Sequence, residues 1–162
     1  GLLQTEGYAR EVLRLAPDEP EESLEPRVEL RMARQRILHR ERPPRLWVVI
    51  DEAALHRPVG GPAERRRQLG HLLEVSQLPH VTIQVMPFSA GTHVALGGPV
   101  SVLRPPGEEL PDVVYLEQLT GGVYPDKPGE IEHYRHVMNR IVVEAEPPLA
   151  SRDMLFRMLR EA

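Results

Sequence analysis

Hydrophobic and polar positions follow two rhythms along this chain. Leu46, Trp47, Val48, Val49 and Ile50 form a short unbroken apolar run, ended by Asp51 and Glu52. A bulky, largely β-branched run of that length predicts a strand buried on both faces. Gly60, Gly61 and Pro62 punctuate the chain next. From Ala63 to Ser76, Leu69, Leu72, Leu73 and Val75 recur near helical spacing, with Arg65, Arg66 and Arg67 outside that stripe. Val81, Ile83 and Val85 then alternate with Thr82, Gln84 and Met86 until Pro87 stops the strand. Strand, helix and strand at this spacing predict a βαβ unit with parallel strands and a right-handed crossover.

The flanking segments extend the picture. Leu2, Leu3, Tyr8, Val12, Leu13 and Leu15 predict an amphipathic helix over 5–16 with Thr5 as its N-cap. Pro17 to Pro26 is acidic and proline-bearing and reads as a loop. A second helix follows over 27–40, its arginines facing Glu21, Glu22, Glu25 and Glu29. Pro99 to Leu103 predicts a third strand, hairpin-paired and antiparallel to the second. Val113 to Leu116 predicts a fourth, ended by Glu117. Gly129 to Ala145 carries a helical stripe of Ile131, Tyr134, Val137, Met138, Ile141 and Val142, and a last helix spans 151–161 with Ser151 as its cap. The whole predicts a mixed α/β (α+β) fold over 1–162 as a single domain. One four-strand mixed sheet, with its core at 46–118, contains the βαβ unit and is flanked by about five helices.

Composition narrows the function classes. With 162 residues the chain can bury roughly 70% of its unfolded surface. Net charge is −4, which is not the electrostatic footprint of a nucleic-acid binder. The absence of cysteine excludes disulfides, thiol nucleophiles and thiolate metal sites. No signal peptide and no membrane-length apolar run occurs, so a cytoplasmic location is expected. The chain begins without a start methionine, so a preceding segment is expected in the natural protein.

The candidate chemistry gathers at strand ends, where α/β sheets place ligands. If the fourth strand pairs with the third in one sheet, Glu117 shares an edge with Asp51, Glu52 and the His93 loop. Glu52, His93 and Glu117 could then bind a polar or cationic ligand, or act as acid and base in a catalytic reading. Tyr115 and Gln68 complete the candidate ligand-binding set. The competing reading has Glu52 ordering the Gly60–Gly61 loop, Glu117 paired with an arginine, and Tyr115, Tyr8 and Trp47 in the core. His133 and His136 stand three apart beside Glu130, a spacing metals use, but no further ligands can be named, so no metal and no cofactor is expected. Gly60–Gly61 and Gly97–Gly98 lack the lysine and Ser/Thr of a phosphate loop, and no G-x-S-x-G elbow exists.

The succession GLLQTEGYAR, RMARQ, DEAALHRPVGG, RQLGHLLEV, VTIQVMPFSAGTH and VVYLEQLTGG resembles the domain that follows the helix-turn-helix in actinomycete XRE-type, antitoxin-like transcription regulators. The resemblance implies a domain that senses a small-molecule ligand or a small partner protein, or holds subunits together as a homodimer. It implies contact with DNA only through a missing N-terminal domain, and it lends no catalytic residues. A stand-alone small-molecule enzyme on the same scaffold, using Glu52, His93 and Glu117, is the alternative.

Overall fold

The computed structural model describes residues 1–15, 20–92, 94, 98–107, 110–118 and 121–162. His93 lies outside the described residues. The chain divides into two compact units, Gly1–Val85 with Glu146–Ala162, and Met86–Ala145.

The first unit opens with α1 (Glu6–Arg14), capped by Thr5, whose hydroxyl accepts the Tyr8 N–H at 3.2 Å. Helix α2 (Leu24–Gln35) starts three residues earlier than the sequence predicts. Pro26 sits in its first turn, where a missing N–H costs nothing, so the proline does not delay the helix. A 3-10 turn at Arg36–His39 follows and buries Leu38. Strand β1 (Leu46–Asp51) leads into a short helix α3 (Glu52–His56), then α4 (Pro62–Val75), then β2 (Val81–Met86).

β1 and β2 form a two-stranded sheet. The Leu46 N–H donates to His80 C=O at 2.8 Å. Both residues stand where their strands begin, so the strands run the same way, as a βαβ unit requires. Leu46, Val48 and Ile50 meet Val81, Ile83 and Val85 on one core, closed by Leu69, Leu72 and Val75 of α4 and by Leu155 and Met158 of α6 (Pro148–Glu161). A smaller cluster of Leu13, Leu24 and Val28 joins α1 to α2. β1 is not buried on both faces: Trp47 is 57% exposed, its indole N–H donating to the buried Gln84 side chain at 2.6 Å. Ser151 is not the cap of α6, which starts at Pro148. It is fully buried, its hydroxyl accepting the Val85 N–H and donating to Glu146 C=O, both at 2.9 Å.

The second unit holds a separate sheet. β3 (Val100–Leu103), β4 (Val113–Gln118) and β5 (Gly121–Val123) pair antiparallel in that order, and α5 (Pro128–Glu144) packs on β3 and β4. The expected single four-strand sheet is therefore corrected to two sheets, of two and three strands, with six α-helices rather than about five among the described residues. β3 does not pair with β2. The chain between those strands is long, whereas β3 and β4 adjoin through the turn that carries Pro105, Pro106 and Gly107, and the local hairpin closes at lower entropic cost. β5 falls in a stretch that reads as loop because it is short and holds two glycines.

Candidate functional site

Helix α4 carries two buried polar side chains. Glu64 and Gln68, one turn apart, are 4% and 8% exposed. They extend the apolar stripe of Leu72 and Val75 toward the N-terminus of α4 and read the backbone of residues 3–8. Gln68 accepts the Thr5 N–H at 2.7 Å and donates to Leu3 C=O at 2.6 Å. The Glu64 carboxylate accepts from the Thr5 hydroxyl, from the Tyr8 N–H at 3.0 Å and from Arg67 Nε at 2.8 Å. Burial pushes this carboxyl up, but the bonds from Thr5, Arg67 and Tyr8 with the Arg67 charge outweigh it and hold the group below the ordinary carboxylate range. Two glycines make room: a Cβ on Gly7 would stand 2.8 Å from Glu64 Oε1, and one on Gly60, held at φ +73°, would stand 2.9 Å from Glu64 Cβ. Both oxygens of Glu64 are engaged, so it acts as a remote N-cap for α1, adding negative charge where the first helix N–H groups have no acceptor within the helix itself. Gln68, an expected ligand group, has its amide committed to the same lock. Sequence reasoning passed over Glu64; the signal was a polar pair continuing a buried helical stripe.

The strand-end carboxylates are also engaged. Asp51 accepts the Ala53 N–H at 2.8 Å and caps α3. Glu52 faces His56 one turn on, at 3.4 Å. Glu117 was expected beside Glu52 on the premise of one continuous sheet; with two sheets that premise is gone. Among the described residues no group of three metal-ligating side chains gathers.

Tyr115 and Glu117 belong to the second sheet. Strand alternation sorts its side chains in two. Val100, Val102, Val114 and Leu116 share the face that α5 packs on, with Val114 fully buried. The other face carries Leu103 paired with Val113, then Ser101 with Tyr115, then Glu117 with Gly122. Leu103 is 56% exposed and Tyr124, which follows β5, is 63% exposed. The Tyr115 and Tyr124 rings stand 5.1 Å apart, tilted at 45°. A side chain on Gly122 would overlap the Tyr115 ring, so that ring is laid across β5. The result is a surface of two aliphatic side chains, two phenols and one carboxylate, with Leu103, Val113, Glu117 and Tyr124 exposed and Tyr115 half-buried.

The fold is a mixed α/β domain whose buried polar groups hold the chain together and whose exposed apolar groups cover a sheet face. The chain belongs to the family described as Domain of unknown function (DUF5753), whose model matches residues 1–157. Comparison with curated proteins and with solved structures found no match.

Proposed function

We propose that this domain is the partner-recognition and assembly module of a transcription regulator, akin to those of the XRE-type regulators of actinomycetes, and that it is neither catalytic nor itself the DNA-binding part. The observation that supports this reading is the outer face of the second sheet, where Leu103, Val113 and Tyr124 stand exposed together. An apolar sheet face left open to water favours association. Strand alternation sets these side chains next to one another on a sheet face, whereas small-molecule sites are concave enough to bury most of their ligand, so the occupant of choice is a protein. The net charge of −4 supports recognition without direct contact to phosphate backbones.

The test is genetic. In the source organism, deletion of the gene is compared with Leu103→Glu and Glu52→Gln by transcript profiling, with protein levels matched. Leu103→Glu should reproduce the deletion profile and Glu52→Gln should leave transcripts as in wild type. A deletion that alters no transcript would end the regulator reading. A Glu52→Gln profile like the deletion, with Leu103→Glu silent, would favour an acid–base enzyme.

A further inference from the structure

From the same face, and resting on the reading of it as a partner surface, we infer that Tyr115, Tyr124 and Glu117 form a receptor for one basic side chain, arginine or lysine, of the partner protein, with Leu103 and Val113 taking a neighbouring aliphatic side chain. Three placements converge. The two phenol rings form a tilted pair, Tyr124 exposed and Tyr115 half-buried, and a cation beside such a pair is attracted through the ring quadrupole. Glu117 leaves the sheet on the same face as Tyr115, two residues further along β4, which is about 7 Å. Its cross-strand partner is Gly122, the residue on which the Tyr115 ring rests, so the carboxylate borders the aromatic pair directly. A cation seated there meets ring faces and a counter-charge together. The aliphatic pair lies one step along the sheet, Leu103 with Val113, separated from Glu117 and Gly122 by Ser101 with Tyr115. An extended segment with an aliphatic residue at one position and a basic one two positions on matches that spacing. Charge complementarity points the same way, since among the described strand residues that the register places on this face the ionised group is the Glu117 carboxylate.

The experiment is an amide chemical-shift titration of the whole isotope-labelled chain with acetyl-Ile-Ser-Arg-amide, and in parallel with the same peptide carrying neutral citrulline in place of arginine. The arginine peptide should give saturable shifts centred on Leu103, Val113, Tyr115, Glu117, Gly122 and Tyr124. The citrulline peptide should bind roughly fivefold or more weakly, a ratio set by a cation–π contact with a facing charge. Glu117→Gln and Tyr124→Leu, both at exposed positions, should each erase the preference for arginine while leaving the remaining amide spectrum unchanged. Equal binding of the two peptides on this face would overturn the cation receptor and leave the partner surface standing. Absence of localised shifts with either peptide at tens of millimolar, with Leu103→Glu still reproducing the deletion profile, would likewise overturn the receptor alone. Failure of both experiments would remove the surface as well.

Discussion

Glu64 and Gly7 provide a test whose sign changes with background. Glu64→Ala removes the acceptor of the Thr5 hydroxyl and the second acceptor of the Tyr8 N–H, which then keeps only Thr5 Oγ1 at 3.2 Å. Charge-assisted bonds to buried groups are worth roughly 1.5–3 kcal/mol each and a lost N-cap about 1 kcal/mol, with part returned because the carboxylate no longer has to be desolvated. The expected net cost is about 3 kcal/mol, or roughly 6–12 °C in Tm for a chain of this size. Arg67 contributes little, because its side chain is 66% exposed and returns to water. Glu64→Gln keeps an acceptor and should cost about 1–2 kcal/mol. Gly7→Ala is destabilising in wild type, where the new methyl meets the carboxylate. In the Glu64→Ala background the obstacle is gone, and the same change should stabilise by up to about 1 kcal/mol through helix propensity. The folded carboxyl lies below its unfolded value of 4.5, so its stabilisation is complete above that pH and is lost as pH falls through the folded value. The gap between wild type and Glu64→Gln should therefore narrow on acidification from pH 7 to pH 3. Urea denaturation of the four variants decides the matter. A Glu64→Ala cost below about 0.5 kcal/mol, or a Gly7→Ala effect of the same sign in both backgrounds, would refute the lock.

Two further outcomes follow from buried polar groups. Ser151→Ala should destabilise by about 1–3 kcal/mol, since it strands the buried Val85 N–H, and Ser151→Thr should recover part of the loss; thermal melts would check it. His71 sits on α4 with its Nε2 buried and unbonded; burial lowers its pKa, Glu74 raises it in part and His39 lowers it further. Because the unfolded chain takes up that proton first, stability should fall as pH drops through 6.5, and His71→Leu should flatten the slope between pH 7.5 and 5.5 in urea titrations; an unchanged slope would show that His71 does not carry it.

The elements legible in the sequence are those whose periodicity is strong. β1, α4 and β2 come from an unbroken run, a helical stripe and an alternation, and the parallel pairing follows from the helix between them. The partition into two sheets was not legible, because pairing depends on which hairpin closes first in space, and strand-length runs at Val81, Val100 and Val113 look alike. β5 was hidden by Gly121 and Gly122, whose lack of side chains reads as loop until Tyr115 is seen lying across it. Pro26 read as a loop boundary because a proline in a first helical turn and one in a loop are identical in sequence. One continuous sheet would put Glu117 at an edge with Glu52; in the two-sheet fold it shares a face with Tyr115, because the two stand two apart in one strand.

This separates what recognition of the family rests on from what function requires. The opening motif GLLQTEGYAR is among the segments by which the chain is recognised, and its polar and glycine positions have structural reasons: Thr5 caps, Gly7 yields space to Glu64, and the backbone at Leu3 and Thr5 is held by Gln68. Such residues are fixed by packing and hydrogen bonding whatever the domain binds, so likeness there identifies a fold and carries no substrate. Leu103 and Val113 have no comparable hydrogen-bonding or capping duty, and Tyr124 beyond its contact with Tyr115 stands 63% exposed; apolar surface in water is retained at a cost of roughly 25 cal/mol per Å². On the partner-surface proposal, exposed side chains that stand together beside a carboxylate are where an interaction with another molecule leaves its mark. On that proposal the outer face of the second sheet, rather than the buried Glu64 carboxylate, carries the interaction by which this domain acts.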